Sequence, residues 1–215
     1  MKDNQLKTTG KKDELVSRIC SHIPQKNLAM YEKKYFALTS KGETLLLENS
    51  HIKYFHSMKN QIQLSIEEAN EYKKHHETVS NGEIAFALLN ERLKKEQSEK
   101  NWGLFRNTYY SKAVVCFFEK DNRQQLEYLI DVCYIDKVLD ERYRMANPNC
   151  PLFSNEIIDS IHNILQTEQI SQEEFERIFQ DALYSFFKAN AKYDMPFNNK
   201  DEEETFEKLS EVLGL

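Results

Sequence analysis

NTYYSKAVVCFFEKDNRQQLEYLIDVCYIDK (residues 107–137) carries apolar side chains at helical rather than alternating spacing, twice over, with a charged break between. It reads as two helices, about Leu104 to Phe118 and about Gln124 to Val138. Cys116 and Cys133 fall at core positions on them. A lone helical hairpin cannot bury its own apolar face, so neighbouring elements must cover it.

The flanking sequence supplies those neighbours. SIEEANEYKKHHETV (65–79) opens with a capping box, Ser65 with Glu68, and reads as a helix to about Val79. Asn81-Gly82 is expected to break it. The next helix, about Glu83 to Glu99, carries Ile84, Ala87, Leu88 and Leu89 on one face. Beyond the hairpin, NPNCP (147–151) is the clearest loop. Ser154 caps a helix with Ile157, Ile158, Ile161, Ile164 and Leu165. Ser171 with Glu174 is a second capping box and opens a helix to about Ala189. Asp201 starts an acidic last helix with Phe206, Leu209, Val212 and Leu213.

At the N-terminal end, Thr9-Gly10 reads as a turn. Lys11 or Lys12 opens a helix to about Ile23, with Leu15, Val16 and Ile19 as its stripe and Pro24 as its stop. Tyr35 to Leu38 reads as a short extended segment paired with Leu28 to Tyr31, and Thr39 or Ser40 caps a helix with Leu45, Leu46 and Leu47. The expected fold is all-α, a helical bundle with at most one short β-hairpin near residues 28–38. A small helix-loop-helix or winged-helix-like element spans 1–60, and a helical domain spans 65–215. Only 5 Gly and 4 Pro in 215 residues favour long helices with short joints over a many-stranded sheet.

Charge is spread unevenly along the sequence. Residues 1–60 hold 11 Lys and Arg against 6 Asp and Glu; the rest hold 18 against 29. A basic head on an acidic body can bind a polyanion locally, although the net charge of -6 argues against general nucleic-acid binding. No apolar run approaches the ~20 residues of a membrane span, and no apolar segment follows the basic N-terminus. The four cysteines show no CxxC spacing and are expected to be reduced, in a cytoplasmic protein.

GKKDELVSRI (10–19) resembles the second helix of the SAP motif, a helix-extended-loop-helix module of DNA-associated proteins. The matching residues are Gly10, Lys12, Glu14, Leu15, Val16, Arg18 and Ile19, with Leu6 as the apolar residue of the connecting loop. The resemblance implies sequence-independent contact with the backbone of double-stranded DNA. Independently of it, a helix N-terminus suits a phosphate, and Lys11, Lys12 and Arg18 add attraction to the backbone. The candidate DNA-binding residues are therefore Gly10, Lys11, Lys12 and Arg18. The family's first helix has no counterpart here beyond MKDNQ (1–5): either the frame extends upstream or the module is reduced. The head is similar in style to uncharacterised SAP-containing proteins of bacteria and their phages.

YFALTSKG (35–42) resembles the exit of the wing in winged-helix DNA binders. Residues 107–137 look like one tetratricopeptide repeat. Ala113 fits the small residue of its first helix, Lys120-Asp121 its turn, and Leu126, Leu129 and Val132 its inner face. Gln125 and Lys137 depart from it, standing where a small residue and a proline are usual. This resemblance implies a protein partner for the helical domain.

Catalytic and metal motifs are absent from the sequence: no GxSxG, no phosphate-cradling Gly-rich loop, no HExxH. Glu71 and His75 could share a helix face, but the Glu and His spacing of a di-iron bundle is missing. No cofactor, no metal and no enzymatic reaction are expected. The leading expectation is a non-enzymatic DNA-associated protein with a helical domain for protein interaction. The alternative is a protein-interaction scaffold with a vestigial head.

Overall fold

The computed structural model describes residues 9–23, 39–143, 151–191 and 201–215. Among these it places ten α-helices and no strand, so the protein is all-α. The hairpin expected near residues 28–38, and residues 147–150 of the expected loop, lie outside the described residues. The protein divides into two compact units, Met1–Asn49 and Ser50–Leu215.

The first unit holds α1 (Lys12–His22) and α2 (Ser40–Glu48). Thr39 caps α2, its Oγ1 accepting from the Gly42 N–H at 3.2 Å. Neither helix contains a buried residue, and Leu47 is 75% exposed.

The second unit holds α3 (Ser50–Met58), α4 (Ile66–His75), α5 (Asn81–Ser98), α6 (Trp102–Glu119), α7 (Asn122–Tyr143), α8 (Asn155–Thr167), α9 (Gln172–Asn190) and α10 (Asp201–Leu213). The basic head drawn from the sequence runs on to residue 60. Here residues 50–58 form a helix whose buried face, His51, Phe55 and Met58, belongs to the second unit. The capping residues read from the sequence are in place: Ser65 with Glu68 on α4, Ser154 on α8, Ser171 on α9. Asn81-Gly82 does not act as a break. Ser80 caps α5 and both residues join its first turn, where a Cβ on Gly82 would lie 2.8 Å from the Glu119 side chain of α6. The glycine marks a close helix approach.

Helix α6 explains the packing. Nine of its residues between Phe105 and Cys116 are buried, and from Thr108 to Cys116 all but Tyr110 are. Phe105, Tyr109 and Ala113 join a large core with Leu126, Leu129, Ile130 and Cys133 of α7 and the inner faces of α8, α9 and α10. Val114 and Val115 join a smaller core with Phe55, Met58, Ala69, Ile84 and Leu89 of α3, α4 and α5. Each fully buried side chain of this size contributes about 1.5–3 kcal/mol. Aromatic rings tie the large core together: Phe186 of α9 meets Phe105, Tyr109 and Tyr134 edge-on or tilted at 5.3–6.3 Å.

Three of the joints follow one scheme. After α5, α6 and α8 a single residue enters the left-handed region: Lys100 (φ 51), Lys120 (φ 61) and Gln169 (φ 54). The next N–H then donates back to the carbonyl five residues earlier, Asn101 to Glu96, Asp121 to Cys116, and Ile170 to Leu165. These are Schellman ends, which satisfy the last carbonyls and reverse the backbone within two residues. Gly214 closes α10 in the same way.

Candidate functional site

The four residues singled out from the sequence gather at one end of α1. Gly10 has φ 141, a conformation that favours glycine, and a Cβ there would come within 2.8 Å of Glu14 Oε2. Lys11 and Lys12 are exposed at the helix start. Arg18, nearly two turns on, reaches back so that Nη1 donates to the Thr9 carbonyl oxygen at 3.3 Å. Its guanidinium lies 3.7 Å from the position of that Cβ. Three cations and a helix N-terminus therefore share one small surface. A carboxylate shares it too: Glu14 Oε2 accepts from the Lys11 N–H at 3.2 Å and occupies part of the place a phosphate oxygen would take. Of the wing-like stretch, Thr39 to Gly42 are described, and they are the cap and first turn of α2.

The second unit holds a polar constellation that sequence reasoning missed. Lys112 of α6 is 7% exposed, and its Nζ lies 5.3 Å from the ring centres of both Tyr109 and Tyr128. Asp131 of α7 is 5% exposed, and its Oδ1 has no hydrogen-bond partner among the described residues. Burial lowers the Lys112 ammonium to about 8, and the Asp131 charge opposes that shift. Burial likewise pushes the Asp131 carboxyl well above the carboxylate range against the pull of Lys112. Beside them Asn190 Nδ2 donates to the Tyr109 hydroxyl at 2.9 Å and to the Phe186 carbonyl at 2.7 Å, while Gln97 donates to its Oδ1. Thr108 donates to Glu96 at 3.0 Å. The signal was a charged residue inside each apolar run, SKAVVC and LIDVCY, with no partner at helical spacing in its own helix. The Gln97–Asn190–Tyr109 and Thr108–Glu96 hydrogen bonds tie α5, α6 and α9 together, while Asp131 Oδ1 and Glu96 Oε2 are buried without a hydrogen-bond partner among the described residues.

Other residues weighed from sequence stand apart. Glu71 and His75 share a face of α4 at 3.5 Å, both exposed, and Glu71 is also held by Lys74 at 2.7 Å. Among the described residues no three His, Cys, Asp or Glu converge as metal ligands. Cys116 and Cys133 are buried as expected; burial pushes the Cys116 thiol up to about 12 and the Cys133 thiol well above its ordinary value. Lys120 and Asp121 form the joint of the α6–α7 hairpin, Asp121 Oδ1 accepting from the Gln124 N–H at 3.0 Å. Lys137, 2% exposed, pairs with Glu204 of α10 at 3.1 Å. No described helix is long and apolar enough to cross a membrane.

Compared with family models, with curated proteins and with solved structures, the sequence and fold give no match in any of the three. Fold and site together define a class: an all-helical protein whose first unit carries a cationic helix start and whose second unit is a helical body around two largely buried helices, α6 and α7.

Proposed function

We propose that this is a non-enzymatic DNA-associated protein. Its SAP-like head contacts the phosphate backbone of double-stranded DNA through Gly10, Lys11, Lys12 and Arg18. Its helical body, with the tetratricopeptide-like hairpin of α6 and α7, engages a protein partner. The observation that carries the reading is the gathering of Lys11, Lys12 and the back-folded Arg18 around the exposed N-terminus of α1. The excess of basic residues in 1–60 supports it. The test is an equilibrium titration of a labelled duplex with the full-length protein. Binding is expected, indifferent to base sequence, and is lost in Lys11→Ala/Lys12→Ala/Arg18→Ala.

One observation favours the second reading, a protein-interaction scaffold with a vestigial head. The Glu14 carboxylate already engages the helix start, where it opposes a phosphate. No duplex binding even at low salt, with the helical fold intact, selects that reading.

A further inference from the structure

A cleft of about 320 Å³ opens between α6, α7 and α8. Ala113, Val114 and Leu129, all nearly buried, give it an apolar floor, and the 59% exposed ring of Phe117 stands at its side. Gln125 also lines it. That residue is 7% exposed, yet among the described residues its amide group makes no hydrogen bond. The amide belongs to the lining of the cleft, where an occupant can pair with it. On the opposite helix Glu156 lines the cleft, exposed and without an ion-pair partner among the described residues.

We infer that this cleft binds an extended peptide segment of a partner protein, one with an apolar residue next to a lysine or arginine. The apolar side chain seats on Ala113 and Leu129 against Phe117. The Gln125 amide, donor and acceptor at once, pairs with the backbone carbonyl and N–H of that residue. The cation sits at Glu156. The volume is at the small end of ligand sites and fits one side chain with its backbone. The excess of acidic over basic residues beyond residue 60 favours a cationic segment and repels a nucleotide. This inference rests on the protein-partner half of the proposed function and names that partner's chemistry.

The experiment selects a phage-displayed library of random peptides on the full-length protein. Enriched peptides, synthesised with a fluorescent label, are then titrated into wild type, Gln125→Leu and Glu156→Lys. The expected peptides carry an apolar residue beside Lys or Arg. Gln125→Leu weakens them about tenfold or more while the protein melts close to wild type, because the amide makes no hydrogen bond among the described residues that the change would remove. Glu156→Lys, on an exposed turn, also weakens them, most strongly at low salt. Peptides that bind both variants as tightly as wild type overturn this site but leave a protein partner elsewhere on the body. Failure to enrich any peptide overturns the site and the partner half together. Neither result bears on the duplex titration.

Discussion

Lys112 and Asp131 are each almost sealed from water, one on each arm of the α6–α7 hairpin, and each is driven toward its neutral form by burial. Removing one leaves the other buried without the opposite charge that counters its burial, whereas apolar replacement of both removes both burial penalties. Lys112→Met and Asp131→Leu are therefore expected to destabilise strongly as singles. The double variant should lose less than either, by urea unfolding; losses that simply add contradict the coupling. The pH dependence has a definite sign. The folded protein releases the Lys112 proton near pH 8 and the unfolded protein near 10.5, so the unfolded state holds more protons between them. Wild type should thus gain stability relative to Lys112→Met as pH rises from 8 to 10, by about 2 kcal/mol at most. A flat difference across that window contradicts it. At the head, Glu14→Gln removes the carboxylate that opposes a phosphate at the α1 start. Duplex affinity should rise by about two- to fivefold, the equivalent of 0.5–1 kcal/mol of helix-end electrostatics. An unchanged affinity in the same titration would mean that phosphate does not meet this end of the helix.

The helices were legible where their ends are written in local chemistry. Ser65, Ser154 and Ser171 each precede an apolar run, and each caps the helix expected of it. Helix α3 was not legible, because one of its three buried positions is His51, which reads as polar. Only the fold supplies Asn70, whose Oδ1 lies 2.6 Å from His51 Nε2. Gly82 misled for a similar reason: its role is set by Glu119, far along the sequence. The helix ends after α5, α6 and α8 carry no glycine, so the left-handed residues Lys100 and Gln169 gave no signal, and Lys120 was legible only through the repeat-like turn it shares with Asp121. These three sites yield a prediction for the joints. A non-glycine residue in this region costs about 1 kcal/mol, partly offset by the greater freedom of glycine in the unfolded state. Lys120→Gly is expected to stabilise by about 0.5 kcal/mol, and Lys100→Gly and Gln169→Gly likewise. Destabilisation of all three by chemical unfolding would show that the side chains, rather than the backbone, hold these joints.

Across the whole molecule, the candidate contact at Gly10, Lys11, Lys12 and Arg18 could be read in advance because it lies within nine residues of one helix start. The buried Lys112–Asp131 constellation and the amide of Gln125 could not, because tertiary packing decides which side of α6 and α7 faces a neighbour. In the sequence Gln125 is only an odd residue in an apolar pattern; packing makes it a polar group in an apolar cleft. The uneven charge along the sequence was plain from the start, and it determines the measurement. A labelled duplex is titrated at a series of salt concentrations, and the logarithm of the binding constant is plotted against that of the salt. Three cations on phosphate predict a slope of about -2.7, falling toward zero together with the affinity in Lys11→Ala/Lys12→Ala/Arg18→Ala. No binding at low salt, or a slope and affinity unchanged in the triple variant, would contradict a phosphate contact at the start of α1.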